Sequence, residues 1–276
     1  MLQKRLENKI NGRFLNLLPG RIPVIGGAAL LHLKREIVPY EREIGEALLD
    51  LMKNVKSVWV YRAPTATIFR IPNLECVAGD CNPEVIHKEL KTIFYLNIQK
   101  ITFSPGNAGE RKRLLRIISP QDIVLDMFAC VGNLSLPIAV NVKPKKIYAI
   151  EINPLAYKYL LKNIRVNKVE SIMVPFLMDN RDWKEEGFAD HVLMGYLPEP
   201  DNVQLRIALN SIKPEGGTIH FHTIVKIGNE MDKLGEFRKK VEKEKFNVKQ
   251  LKMEKVKPIA PHRNHVVIRA YIRKVW

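Results

Sequence analysis

The chain has 276 residues, of which 46% are hydrophobic and 27% charged, with a formal net charge of +16. This is a globular composition that excludes a disordered chain, and the length allows one large domain or two modest ones. So large a positive excess points to a polyanionic partner, for which nucleic acid is the usual one.

Residues 1–20 are basic and end in the turn signal Leu17-Leu18-Pro19-Gly20, which reads as an N-terminal arm. Residues 21–103 have the short, closely spaced segments of a small α+β domain, a possible substrate-binding module. Within it, Val24–Leu33 suits a strand bent at Gly26-Gly27. Tyr40–Met52 has helical spacing, with Ile44, Ala47, Leu48 and Leu51 on one face. Ser57–Tyr61, Ala66–Ile71, Glu75–Ala78, Glu84–His87 and Thr92–Asn97 are expected strands, and Lys34, Arg35, Arg62 and Arg70 expected exposed cations. From residue 104 the pattern changes to alternating strand and helix. Helices are predicted at 108–118, 134–140, 156–165, 202–212 and 231–244, and strands at 123–125, 146–150, 171–176, 191–194, 217–221 and 265–271. Such alternation predicts an α/β, Rossmann-like domain over 104–276, a mostly parallel sheet with helices on both faces.

In a parallel sheet ligands sit beyond the carboxyl ends of the strands. The first strand stops at Asp126, and a loop through Gly132 enters a helix. The second stops at Glu151, 25 residues later, where a carboxylate can accept hydrogen bonds from ribose hydroxyls. The third ends near Asp179-Asn180, whose side chains can read an adenine edge, and the fourth at Gly195-Tyr196-Leu197-Pro198. The first loop lacks the GxGxxG cradle for a pyrophosphate, which favours a nucleoside ligand without phosphates.

The run Asp126–Gly132 with Tyr148–Pro154, Glu151 and Ile152 among them, resembles class I S-adenosylmethionine-dependent transferases. Phe103-Ser104-Pro105-Gly106-Asn107, then Glu110-Arg111, with Gly195–Pro198 downstream, resembles one RNA-modifying group among them. That group comprises the tRNA guanine-37 N1-methyltransferases and the wybutosine-pathway aminocarboxypropyltransferases. The methyltransferase branch typically has Ser-Pro-Arg and Asn-Leu-Pro at the two places; glycines at 106 and 195 match the aminocarboxypropyl branch. The resemblance implies S-adenosylmethionine as co-substrate. It implies transfer of its 3-amino-3-carboxypropyl group to C7 of 4-demethylwyosine at position 37 of tRNA(Phe), with release of methylthioadenosine. The partner would be the tRNA anticodon stem-loop. Ser104 and Arg111 would contact the methionine carboxylate, and Asp126, Gly132, Glu151, Ile152, Asp179, Asn180 and Gly195 the rest of the cofactor. Asn107, Tyr196 and Pro198 would frame the target base, Tyr196 by stacking. Where the family usually has glycine this chain has Cys130, read as a small buried filler.

Alternatives stand beside this reading. Arg111 could instead lie with Lys112, Arg113 and Arg116 along RNA phosphates. The chain could be the guanine-37 methyltransferase, although that branch's extra N-terminal domain needs more chain than residues 1–20 offer. It could also be a non-catalytic tRNA-binding protein, which would have no need of Glu151. A polyamine aminopropyltransferase is disfavoured by the net charge of +16. Three cysteines, Cys76, Cys81 and Cys130, suggest no disulfide framework and a reducing, cytoplasmic setting. No metal is expected: no CxxC is present, His220 and His222 share a strand face without a third ligand, and His262 and His265 read as surface residues. No apolar run approaches the roughly 20 residues that span a bilayer, and no signal peptide is apparent.

Overall fold

The structure, a computed structural model, describes residues 1–66 and 68–275 and divides into two compact units. The first comprises residues 1–89 and 93–105, the second residues 90–92 and 106–276.

The first unit contains α1 (Leu2–Leu6), β1 (Val24–Ile25), β2 (Ala28–Leu31), α2 (Glu41–Leu51), β3 (Ser57–Ala66), β4 (Ile71–Gly79), β5 (Glu84–Glu89) and β6 (Thr92–Asn97). β1 to β4 form one sheet in chain order, and β5 and β6 form a separate hairpin. In the segment read as an N-terminal arm, Leu6 and Ile10 are buried with Ile37, Ile44, Leu48 and Val58, where their apolar side chains complete that core. Gly26 and Gly27, expected to bend one strand, make a two-residue turn between β1 and β2. Both have positive φ, 56° and 93°, as a twisted tight hairpin requires. The strand expected at Ala66–Ile71 falls partly on Thr67, outside the described residues; Ile68–Arg70 form the turn joining β3 to β4. Arg62 is not a spare cation, since its guanidinium holds Glu41 at 2.6 Å and Glu75 at 2.6 Å. Cys76 and Cys81 are joined in a disulfide across the turn at Gly79-Asp80. This corrects the expectation from cysteine count: two cysteines five positions apart close a local turn without any wider framework.

The second unit contains α3 (Ala108–Ile117), β7 (Ile123–Asp126), α4 (Ser135–Asn141), β8 (Lys146–Glu151), α5 (Pro154–Val166), β9 (Met173–Leu177), β10 (His191–Met194), α6 (Asn202–Ser211), β11 (Gly217–Lys226), α7 (Glu230–Lys243), β12 (Phe246–Ala260) and β13 (Arg263–Lys274). Its seven strands lie in the order β12-β13-β11-β10-β7-β8-β9. The strands from β11 to β9 are mutually parallel, and β13 runs antiparallel to both its neighbours. Side-chain alternation divides the sheet into two faces. Leu125, Val192, Met194, Ile219 and Phe221 pack with Leu205 and Leu209 of α6 and Phe237 and Val241 of α7. The opposite face carries His220 and Arg269, which meets Glu110 of α3. Local signals fix the helix starts. Asn153 caps α5 through Leu155 N–H, followed by Pro154 in the first turn. Asp201 and Gln204 form a capping box on α6. No helix among the described residues is long and apolar enough to cross a membrane.

Candidate cofactor and substrate site

The chain builds β7, β8 and β9 outward in one direction, then returns to lay β10 against the other side of β7. That reversal puts a topological switch point between β7 and β10, where parallel sheets bind ligands. The four strands end at Asp126, Glu151, Leu177 and Met194, so Asp126, Gly132, Glu151, Ile152, Asp179, Asn180 and Gly195 all come to one edge of the sheet.

The loop after β7 is tight. Ala129 N–H donates to Ile150 O at 2.9 Å, and Gly132 N–H turns back to Ala129 O at 2.7 Å. Gly132 has φ +92°, and a Cβ there would stand 2.7 Å from Leu136 Cβ, so only glycine fits. Cys130 also has positive φ, +51°, which explains why glycine is usual at its position. Glu151 ties β8 to this loop. Its Oε2 accepts Cys130 N–H at 2.6 Å and its Oε1 accepts Asn153 N–H at 2.7 Å. Each oxygen keeps a second lone pair for a ligand hydroxyl.

The site is electrically negative inside a strongly basic protein. Asp126 is fully buried; its Oδ1 accepts Phe128 N–H at 3.2 Å, and the hydroxyl and backbone of Ser135 at the start of α4 also favour its ionised form. Burial pushes its carboxyl up to about 6. Burial also raises Glu151, with a smaller push from Asp126. Neither carboxylate has a cationic partner among the described residues. Two desolvated acids of this kind favour a ligand that brings its own positive charge. A sulfonium nucleoside fits: ribose hydroxyls for Glu151, a cationic end for the field of Asp126, and a glycine-narrowed loop without a phosphate cradle. Burial and the charges of Glu151 and Asp126 raise the Cys130 thiol, which makes it a poor nucleophile.

After β9, Asp179 caps a short turn through Arg181 N–H at 2.9 Å, and its carboxylate pairs with the Arg181 guanidinium at 3.0 Å. Asn180 is buried and committed to the scaffold. Its Nδ2 donates to Met127 O at 2.7 Å and its Oδ1 accepts from Gln204 at 3.0 Å. It therefore braces the ends of β7 and β9, while the more exposed Asp179 is better placed to meet a base. Ile152, 36% exposed, follows Glu151 on the same edge.

After β10, Tyr196 stacks on Phe128 with ring centroids 5.2 Å apart and planes at 23°. A Cβ on Gly195 would come within 2.9 Å of Leu134 Cδ1, so the bare backbone lets Leu134 lie against it. The Leu197–Pro198 peptide is cis. Asn107 precedes α3 and has a buried Oδ1 without a hydrogen-bond partner. Arg111 is only 1% exposed, which removes it from the basic residues able to lie along RNA phosphates; Lys112 and Arg116 are exposed. Ser104 belongs to the first unit and is outside this group.

The histidines are structural. His220 and His222 are buried on β11, and His265 is buried on β13 with its Nε2 2.9 Å from His222 Nδ1. The expectation of a surface His265 fails because β13 lies between β12 and β11 and residues 264–270 are buried on both of its faces. Arg269 Nε donates to His220 Nδ1 at 3.1 Å, which leaves His220 Nε2–H to donate to His191 Nδ1 at 3.1 Å. His191 Nε2 then faces Asp122 at 3.2 Å. Burial lowers His191 and His220, and His222 falls to about 3. Among the described residues no three His, Cys, Asp or Glu side chains gather as metal ligands.

Sequence reading missed Phe128 as the partner of Tyr196, although it lies inside the motif. It also missed Gln204, which Asp201-x-x-Gln204 signals as a capping box. Arg181 and Glu199 carry no local signal.

A family model described as the TRM5/TYW2 methyltransferase domain matches residues 85–254, and one described as the TYW2 N-terminal domain matches residues 2–82. Over 268 residues the chain is 37% identical to a tRNA(Phe) (4-demethylwyosine(37)-C(7)) aminocarboxypropyltransferase of Pyrococcus horikoshii, covering 97% of this chain and 94% of that one. The crystal structure of P. horikoshii TYW2 in complex with MeSAdo matches with a TM-score of 0.83 at 34% identity, covering 99% of this chain and 98% of that one. The complex structure of aTrm5 and tRNALeu matches with a TM-score of 0.83 at 32% identity, covering 99% of this chain but 78% of that one. With the class I sheet order, the acids at its switch point and these matches, the chain belongs to the TRM5/TYW2 methyltransferase-domain family.

Proposed function

We propose that this chain transfers the 3-amino-3-carboxypropyl group of S-adenosylmethionine to C7 of 4-demethylwyosine at position 37 of tRNA(Phe). One observation carries the reading. Over 97% of its length the chain is 37% identical to an aminocarboxypropyltransferase, and its residues 2–82 match the model described as the TYW2 N-terminal domain. The solved relative that holds MeSAdo and the negative switch-point site support S-adenosylmethionine as the donor. The tRNA complex of the Trm5 relative and the net charge of +16 support a tRNA acceptor. The anticodon stem-loop follows from position 37. A cytosolic setting follows from the tRNA substrate alone, since the Cys76–Cys81 bridge removes the cysteine count as support for it.

When bound, S-adenosylmethionine supplies an electrophilic carbon attached to a sulfonium. The base forms a C–C bond at C7, the C–S bond breaks with its electron pair going to sulfur, and the C7 proton passes to solvent water. Glu151 holds the ribose, and Asp179 and Ile152 frame the adenine. Asp126 places negative charge near the cationic end. Arg111, a buried guanidinium, receives the methionine carboxylate through a fork of donors suited to a carboxylate. Tyr196, held flat on Phe128, offers a stacking surface for the base beside Asn107 and Pro198. Orientation chooses the carbon, because an in-line approach governs such a displacement.

The test is a pair of labels. With tRNA bearing 4-demethylwyosine, carboxyl-labelled S-adenosylmethionine should mark the tRNA and methyl-labelled S-adenosylmethionine should not. The reverse pattern supports methyl transfer, and no label from either supports a binding protein.

A further inference from the structure

The Gly195–Pro198 loop carries Tyr196, yet from Gly195 to Asp201 the chain lies in no helix or strand. Such a segment keeps one geometry only if its side chains hold it. Two acids immediately downstream do so, in different ways. Asp201 caps α6 and pairs with Arg181, an exposed contact that serves the helix start.

Glu199 has a different set of partners. Its Oε2 accepts Thr223 Oγ1–H of β11 at 2.8 Å and lies 2.6 Å from Lys233 Nζ of α7. Its Oε1 lies 3.2 Å from Lys240 Nζ, two turns further along the same helix. One carboxylate three residues from Tyr196 thus joins the loop to a sheet strand and to two turns of a helix. Burial works to raise its carboxyl, but Lys233, Thr223 and Lys240 together hold it below the usual carboxylate range. It stays ionised throughout the neutral range. Glu199 caps no helix, and it lies outside the group of acids gathered at the ends of β7, β8 and β9.

We propose that Glu199 is a positioning residue for the transfer reaction: by pinning the loop to β11 and α7 it sets Tyr196 against Phe128 at the orientation the acceptor base needs. The inference rests on the transferase reading above. It separates from that reading because the Glu199 carboxylate holds Thr223, Lys233 and Lys240, none of which is assigned to the donor or the acceptor. Displacements of about 1 Å at a reacting pair cost on the order of a hundredfold in rate. A loop loosened but not lost should cost less, roughly tenfold.

Glu199→Gln keeps an acceptor for Thr223 and removes the charge that holds both lysines. Wild-type and variant chains are compared with S-adenosylmethionine and 4-demethylwyosine-bearing tRNA, reading single-turnover rate, cofactor affinity by calorimetry and hydrogen exchange of residues 195–199. The expected result is a rate lower by about tenfold, cofactor affinity within about twofold, and faster exchange confined to the loop. Glu199→Asp should recover part of the rate. A purely structural role would weaken cofactor affinity and rate together. An unchanged rate in Glu199→Gln overturns the proposal, whereas a wild-type chain that transfers nothing overturns the transferase reading instead. If Glu199→Gln does not fold, Lys233→Gln combined with Lys240→Gln removes the same ion pairs from their solvent side. An unchanged rate in that variant overturns the proposal equally.

Discussion

Glu151→Gln probes the hinge of the cofactor site. The wild-type carboxylate accepts two backbone N–H groups, from Cys130 at 2.6 Å and Asn153 at 2.7 Å. A glutamine of the same shape has one acceptor oxygen, and its amide nitrogen would face the other N–H with a donor. One charge-assisted hydrogen bond is lost, worth about 1.5–3 kcal/mol, partly offset because the buried carboxylate no longer has to be desolvated. Thermal denaturation should therefore show a fall of a few degrees. The effect on ligand is larger. Two ribose hydroxyls that met an anion would meet at best one neutral acceptor, a loss of about 2–4 kcal/mol, or about 30- to 1,000-fold in dissociation constant. Calorimetric titration with S-adenosylmethionine measures it directly. A folded variant that binds within twofold of wild type would refute the assignment of Glu151 to the ribose.

Other substitutions test neighbouring parts of the account. Gly132→Ala combines a left-handed φ of +92° with a Cβ 2.7 Å from Leu136 Cβ; a loss of about 2–4 kcal/mol is expected in denaturant titration. Cys130→Gly relieves the strain of a φ of +51° but loosens the unfolded chain, so stability should stay within about 1 kcal/mol and transfer should persist. Iodoacetamide should react slowly with half-buried Cys130 in the folded chain and much faster on unfolding, because desolvation and Glu151 raise the thiol. Asp126 gives a pH signature. Its folded value of about 6 lies above the ordinary 3.8, so the folded state binds the proton more tightly. Its contribution to stability is complete below pH 3.8 and is lost as pH rises through about 6, a change of about 3 kcal/mol that Asp126→Asn should abolish. A cationic ligand favours the ionised form, so S-adenosylmethionine affinity should fall by up to about tenfold per unit below pH 6, and a flat profile would count against Asp126.

The parallel sheet was legible because its strands are continuous apolar runs ending in polar groups, as at Ile123–Asp126 and Lys146–Glu151. The start of α6 was legible at residue 202, whereas α5 begins at Pro154, two residues before the expected start at 156. β12 was not anticipated. It is an edge strand interrupted by register shifts, with exposed Lys249, Lys252 and Lys255 three positions apart, so Phe246–Ala260 lacks the two-residue alternation that marks a strand. The Asp122–His191–His220–Arg269–Glu110 chain was invisible because its members are up to 159 positions apart and meet only through strand register. The same holds for Arg181, which bridges Asp179 and Asp201, and for Glu199, whose partners lie on β11 and α7. Sequence alone does not reveal that the Asn180 amide also holds Met127 and Gln204.

The identity of the sulfur product tests the central claim most directly. The protein is incubated with S-adenosylmethionine and tRNA(Phe) carrying 4-demethylwyosine, and the nucleoside released is identified by mass spectrometry. Methylthioadenosine is expected in equal amount to a tRNA base heavier by the 3-amino-3-carboxypropyl group. Release of S-adenosylhomocysteine with a methylated base would contradict the claim.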